Sequence, residues 1–136
     1  MPIVLRDLRE SDRAYVAKTL ARELQKTSVG RAADWTALSG EVDRALDAWL
    51  SEGARALVAV DSADEDTIVG YVVGKAPTLH HVYVRGGEHG VRGQGIARQM
   101  LTALGECFYY TLPPSQRTTL TRRMTYAPRL TAGYVP

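Results

Sequence analysis

Three β-branched and aromatic runs follow one another with little between them: RALVAV at 55–60, TIVGYVVGK at 67–75 and TLHHVYVR at 78–85. Parallel strands need a crossover of a dozen or more residues. The connections here, at 61–66 and 76–77, are far shorter, so the three runs read as successive antiparallel strands. The acidic DSADED at 61–66 suits a solvated hairpin loop, and Pro77 suits the second turn. The third run leads straight into GGEHGVRGQG, after which Ile96, Met100, Leu101 and Leu104 recur at helical spacing from about residue 95. The centre of the chain is therefore strand, glycine loop, helix.

Ahead of these strands, Ile3–Leu5 is a short apolar run followed by the turn-like RESD, with Ser11 or Asp12 placed to cap a helix over 12–25. Val16, Leu20 and Leu24 give that helix one inward stripe. TSVGRAAD then connects to a second helix over 34–51, whose Trp35, Leu38, Val42, Leu46, Trp49 and Leu50 share a side. Beyond Cys107, FYYTLPP reads as the end of the loop helix, RTTLTRRMTYA as a strand and PRLTAGYVP as a terminal arm, with no internal repeat.

At 136 residues and 45% apolar content, the chain is one domain able to bury a core without staples. We divide it into a core over 1–110 and a basic C-terminal strand or arm over 111–136. The lone Cys107 excludes an internal disulfide. With His80, His81 and His89 it makes no zinc-like spacing, so a reducing compartment, the cytoplasm, and no metal are expected. No apolar run approaches a bilayer span and the N-terminus has no secretory pattern, so no membrane partner is expected. The net charge of +2 comes from the tail, where Arg117, Arg122, Arg123 and Arg129 stand without an acid. Such an arm suits an acidic partner, nucleic acid included, or an assembly contact. Without interleaved aromatics that stack bases, a solvated basic face is the preferred reading.

The segment Arg92-Gly93-Gln94-Gly95-Ile96-Ala97 carries the chemistry. The first amides of a helix lack intrahelical acceptors and sit at the positive end of its dipole, so they suit an anion. Glycines admit a phosphate close to the backbone, and Arg92 adds a charged donor. A P-loop would require Lys and Ser or Thr where Ile96 and Ala97 stand. A dinucleotide fingerprint would require Gly or Ala at Arg98.

R-G-Q-G-I-A instead resembles the R/Q-x-x-G-x-G/A signature of the GNAT N-acetyltransferase superfamily, and the element order over residues 1 to about 107 resembles it too. The resemblance implies an α+β fold in α/β/α layers: a mixed, mostly antiparallel central sheet flanked by helices, here with a shortened C-terminal part. It implies acetyl-CoA as co-substrate. The diphosphate would rest on Arg92, Gly93, Gln94, Gly95, Ile96 and Ala97, with Arg98 near the 3′-phosphate. The strand before the loop would splay from its neighbour and offer the backbone of Val82, Tyr83 and Val84 to the pantetheine arm.

Acetyl transfer to an amine requires a base for the amine and an acid for the leaving thiolate. Family members often carry a Glu on the strand before the loop. Here Thr78 stands at about that place, and 67–87 holds no carboxylate. His81 is the leading substitute, ahead of His80 and Glu88. Strand alternation groups Leu79, His81, Tyr83 and Arg85 on one face and His80, Val82 and Val84 on the other. The family's downstream Tyr motif is missing. Tyr126 is the hydroxyl proposed for the acid, with Tyr134, Tyr109 and Tyr110 behind it, and Cys107 reads as a small buried residue.

The expected activity is transfer of an acetyl group from acetyl-CoA to a primary amine of a small molecule or peptide. The acceptor pocket would be lined by residues 24–40, including Leu24, Lys26, Arg31 and Trp35. The alternative is a non-catalytic domain of the same architecture, a structural component of a virus particle or multiprotein complex. Its basic C-terminal arm would hold it there, or join copies into an oligomer.

Overall fold

The computed structural model describes residues 2–27, 31, 33–86, 95–112 and 124–126, the last of these by its backbone only. The elements are β1 (Ile3–Asp7), a 3-10 turn (Glu10–Asp12), α1 (Arg13–Gln25), α2 (Trp35–Ser51), β2 (Arg55–Asp61), β3 (Asp64–Lys75), β4 (Thr78–Val84), α3 (Ile96–Leu104), β5 (Tyr109–Tyr110) and β6 (Thr125–Tyr126). The described strands form one sheet in sequence order, antiparallel from β1 to β4 and parallel from β4 to β6. This is the mixed, mostly antiparallel α/β/α arrangement that the sequence implies.

Each helix buries the stripe its sequence shows. On α1 and α2, Val16, Leu20, Leu24, Val42, Leu46 and Trp49 pack against Ala56, Val58, Tyr71 and Val73 of the sheet. On the opposite face, Ile96 and Met100 of α3 pack against Leu57, Ala59, Val72 and Leu79. Helix α3 sits close because β3 lacks side chains beneath it. A Cβ on Gly70 would come within 2.7 Å of the Tyr83 carbonyl oxygen and 3.2 Å of Met100 Cε. Trp35, by contrast, begins α2 exposed, behind the Asp34 cap whose carboxylate accepts from the Ala37 amide at 3.2 Å.

The start of α1 is tied to the sheet by a buried ion pair. Asp12 accepts two hydrogen bonds from the Arg6 guanidinium, at 2.6 and 3.1 Å, and one from the Arg9 amide at 2.7 Å.

Two sequence expectations need correction. The acidic loop over 61–66 contracts to a turn at Ser62–Ala63, because β3 begins at Asp64. The Asp61 and Asp64 carboxylates accept from the amides of Ala63 and Asp66, which stabilises tight backbone where a loop was expected. FYYTLPP is not the end of the loop helix. Gly105, at φ +121°, closes α3 at Leu104, and Phe108 and Tyr109 donate to the Pro77 carbonyl to start β5. Within the expected strand RTTLTRRMTYA, Thr125–Tyr126 form β6, while residues 113–123 and 127–136 lie outside the described residues.

Candidate active site

The two sides of β4 are paired to different extents among the described residues. Strand β4 is paired with β3 along nearly its whole length, from Thr78 to Val84. With β5 it pairs only at Thr78–Tyr109 and Leu79–Tyr110, plus one hydrogen bond from the Thr111 amide to the Leu79 carbonyl at 3.0 Å. Beyond Leu79 the two strands share no further paired residue among those described. After Tyr110, Leu112 packs against the α1/α2 cluster and the Thr111 hydroxyl meets His80. The Arg85 amide donates to Val69 at 2.8 Å, and antiparallel alternation then directs the Val82 amide away from β3, toward the β5 side.

Helix α3 packs Ile96 and Met100 on the sheet face that carries Val82 and Val84 of β4. Gly95, its N-cap, adopts φ +75° and ψ +13° with no side-chain cap, and a Cβ built on it meets none of the described atoms within 4 Å. Ile96 anchors the first turn in the core while Ala97 is half-buried and Arg98 exposed. The first-turn amides of α3 lack intrahelical acceptors, as at any helix start. Arg92, Gly93, Gln94 and Glu88 lie outside the described residues.

The two histidines do not alternate. Val73 pairs with His81 and Gly74 with Leu79, so His80 is an extra residue in a β-bulge. The bulge resets the period. Leu79, Val82 and Val84 face α3, whereas His80, His81 and Tyr83 all face α1 and α2. This corrects the expected grouping of His81 with Leu79 and of His80 with Val82 and Val84.

The shared face gives the imidazoles different surroundings. His80 stacks on Trp49 and its Nδ1 is hydrogen-bonded to Thr111 Oγ1 at 2.7 Å, so it is held as part of the core. His81 lies against Tyr71, ring centroids 5.5 Å apart, and its Nε2 is buried with no hydrogen-bond partner among the described residues. Burial holds both rings down at about 4, partly offset for His81 by the Glu23 carboxylate. Both are neutral at pH 7.

No protein-family model matches the sequence, and no curated protein does. Solved structures do. A GNAT-family acetyltransferase from Staphylococcus aureus Mu50 superposes over 76% of this chain and 63% of its own, with a TM-score of 0.53 at 16% identity. A GNAT superfamily phosphinothricin acetyltransferase from Sinorhizobium meliloti, solved with acetyl-CoA, superposes over 76% of this chain and 58% of its own, with a TM-score of 0.55 at 18% identity. The chain has the GNAT fold. It spans less than two thirds of the length of these two acetyltransferases.

Within this GNAT fold, one group near His81 escapes the sequence reading. Glu23 on α1 is a buried carboxylate, paired with the Lys26 ammonium at 3.0 Å, and its charge reaches both His81 and the Tyr71 hydroxyl. The signal lay in the helix: Glu23 stands seven residues after Val16 and three after Leu20, on the apolar stripe itself. Of the residues expected to line an acceptor pocket, Leu24 belongs to the core, Trp35 and Arg31 are exposed, and Lys26 is the partner of Glu23. Tyr126 pairs through its backbone with Tyr110, one strand further from β4 than β5 is. Cys107 is half-buried against the α3 cluster, its thiol pushed up by burial, which suits a packing residue.

Proposed function

We propose that the protein is an N-acetyltransferase that takes acetyl-CoA between β4 and β5 and acetylates a primary amine. The observation that carries this reading is that, among the described residues, β4 has no paired neighbour on its β5 side beyond Leu79, the side toward which the Val82 amide is directed, while Gly95 opens α3 in a left-handed conformation. The edge amides of β4 around Val82 to Val84 then bind the pantetheine arm. Gly95, Ile96, Ala97 and Arg98, with Arg92, Gly93 and Gln94 ahead of them, hold the diphosphate and the neighbouring phosphate.

In the reaction the neutral amine attacks the thioester carbonyl. As the new N–C bond forms, the amine's proton passes to His81 Nε2, which burial keeps unprotonated at neutral pH. Collapse of the tetrahedral intermediate breaks the C–S bond, and the departing thiolate takes a proton from Tyr126. The products are the amide and free CoA.

Calorimetry tests the cofactor site. Acetyl-CoA should bind saturably to the wild type. Gly95→Trp, which adds a large side chain at the start of α3 and strains a left-handed backbone, should abolish the heat while far-UV circular dichroism is kept. No heat with either protein would end the acetyltransferase reading.

A further inference from the structure

A surface cavity of about 300 Å³ lies at the end of the sheet where β1 stops and β2 begins. Part of its lining is aliphatic, from Leu8, Leu50, Ala54 and Ala56. The rest is charged and of both signs, with Arg9, Arg13 and Arg55 beside Asp7 and Glu10. Every lining residue precedes β3, which stands between β2 and β4 in the sheet. The cavity reaches α3 only through Arg55, which donates to the Ala103 carbonyl at 3.3 Å in the last turn, about 12 Å along the helix from Gly95. It is therefore apart from the acetyl-CoA site proposed above.

The charged groups keep hydrogen-bonding capacity in hand. Arg9 donates to Glu65, Arg13 to Asp47 and Arg55 to the Ala103 carbonyl, and a guanidinium has further N–H donors beyond one such bond. The Glu10 carboxylate accepts no hydrogen bond among the described residues, and that of Asp7 meets Arg55 Nε at 3.7 Å, beyond hydrogen-bonding distance. A simple anion would be set against both carboxylates and a simple cation against the guanidiniums, whereas a molecule carrying both charges pairs with each. At about 300 Å³ the cavity is at the small end of ligand sites, and its aliphatic lining matches an aliphatic body. We propose that it binds a small zwitterion, an α-amino acid with an aliphatic side chain, whose carboxylate meets Arg9 and Arg13 and whose ammonium meets Glu10 and Asp7. The ammonium is held there by carboxylates away from β4, so this ligand is not the acceptor, and the inference is independent of the acetyltransferase reading.

The test is an NMR titration of the full chain with L-leucine, read at the backbone amides of Leu8, Ala54 and Ala56. Isocaproate, which lacks the ammonium, and isoamylammonium chloride, which lacks the carboxylate, are titrated beside it. L-leucine should give a saturable shift. Each analogue should bind at least about tenfold more weakly, the scale of a lost charge-assisted hydrogen bond. Arg9→Gln and Glu10→Gln, both at exposed positions, should each weaken L-leucine binding by about two- to fivefold, the scale of an exposed ion pair. Absence of saturation by L-leucine, an analogue that binds as tightly as L-leucine, or wild-type affinity in both variants would overturn the proposal. The analogue comparison needs no variant, so it decides the matter even if a substitution disturbs the fold.

Discussion

The imidazole of His80 lies flat on the indole of Trp49, ring centroids 4.3 Å apart and planes 6° from parallel. The stack joins α2 to β4, and the hydrogen bond between the same ring and the Thr111 hydroxyl extends the link to the segment following β5. The bulge at His80 is what brings this ring onto the helical face, so Trp49 and Thr111 hold the strand in the register that leaves His81 beside it. Thr111→Val keeps the shape but leaves the His80 Nδ1 without its partner. It should lower stability by about 1–3 kcal/mol in urea unfolding. Trp49→Ala, which also opens a cavity, should cost about 3–5 kcal/mol. A Thr111→Val midpoint equal to wild type would show that the bond contributes nothing to the register.

Both histidines give the fold a pH dependence of definite sign. Their folded pKa of about 4 lies below the ordinary 6.5, so the unfolded chain binds more protons between these values. The contribution is complete above pH 6.5, falls as pH drops from 6.5 to 4, and levels off below. Each ring accounts for on the order of 3 kcal/mol across that window. Urea midpoints measured from pH 7 to pH 4 should therefore decline steeply, and His81→Gln should remove about half of the slope. A flat profile would mean that the rings are solvated.

What the sequence made legible is what depends on local pattern. The stripes Val16–Leu20–Leu24 and Ile96–Met100 are helical by spacing, and the β2 to β4 runs are antiparallel by the shortness of their connections. At Gly95 the positive φ that glycine permits is the conformation adopted. The faces of His80 and His81 were not legible, because a bulge is decided by pairing with Val73 and Gly74 and leaves no mark on the period of β4 itself. Glu23 was hidden for a related reason: its closeness to His81 depends on how α1 crosses the sheet. The Tyr109–Tyr110 strand is too short to show any period.

The Arg6–Asp12 pair fixes where α1 leaves the sheet, and it is nearly buried, with side-chain exposures of 12% and 7%. The guanidinium bonded to Asp12 holds its carboxyl below the usual 3.8. A depressed folded value means that this stability is present above the unfolded pKa and is lost as pH falls through the folded one. Asp12→Asn leaves a buried guanidinium uncompensated and should cost about 3 kcal/mol at pH 7 by urea unfolding. That penalty should shrink as pH falls through the depressed folded value, below which the wild-type carboxyl is itself protonated. A penalty unchanged by pH would place its origin in packing.

If His81 is the base, the acid limb of kcat/KM, which reports the free enzyme, should follow the buried imidazole and fall near pH 4. An ordinary solvated imidazole would place that limb near 6.5, where a cell-like pH change would already alter turnover. After correction for the acceptor's own ionisation, rates should hold between pH 7 and pH 5 and drop only below. His81→Ala should lower kcat by about 10²-fold or more while leaving the acetyl-CoA dissociation constant unchanged, since the β4 edge amides and the α3 amides remain. Two results would remove His81 from the chemistry: an inflection near 6.5 that survives in the alanine variant, or a kcat untouched by the substitution. A limb near 4 that disappears with His81→Ala would assign the proton to this ring, and with it the reason why β4 carries a histidine where no carboxylate stands between 67 and 87.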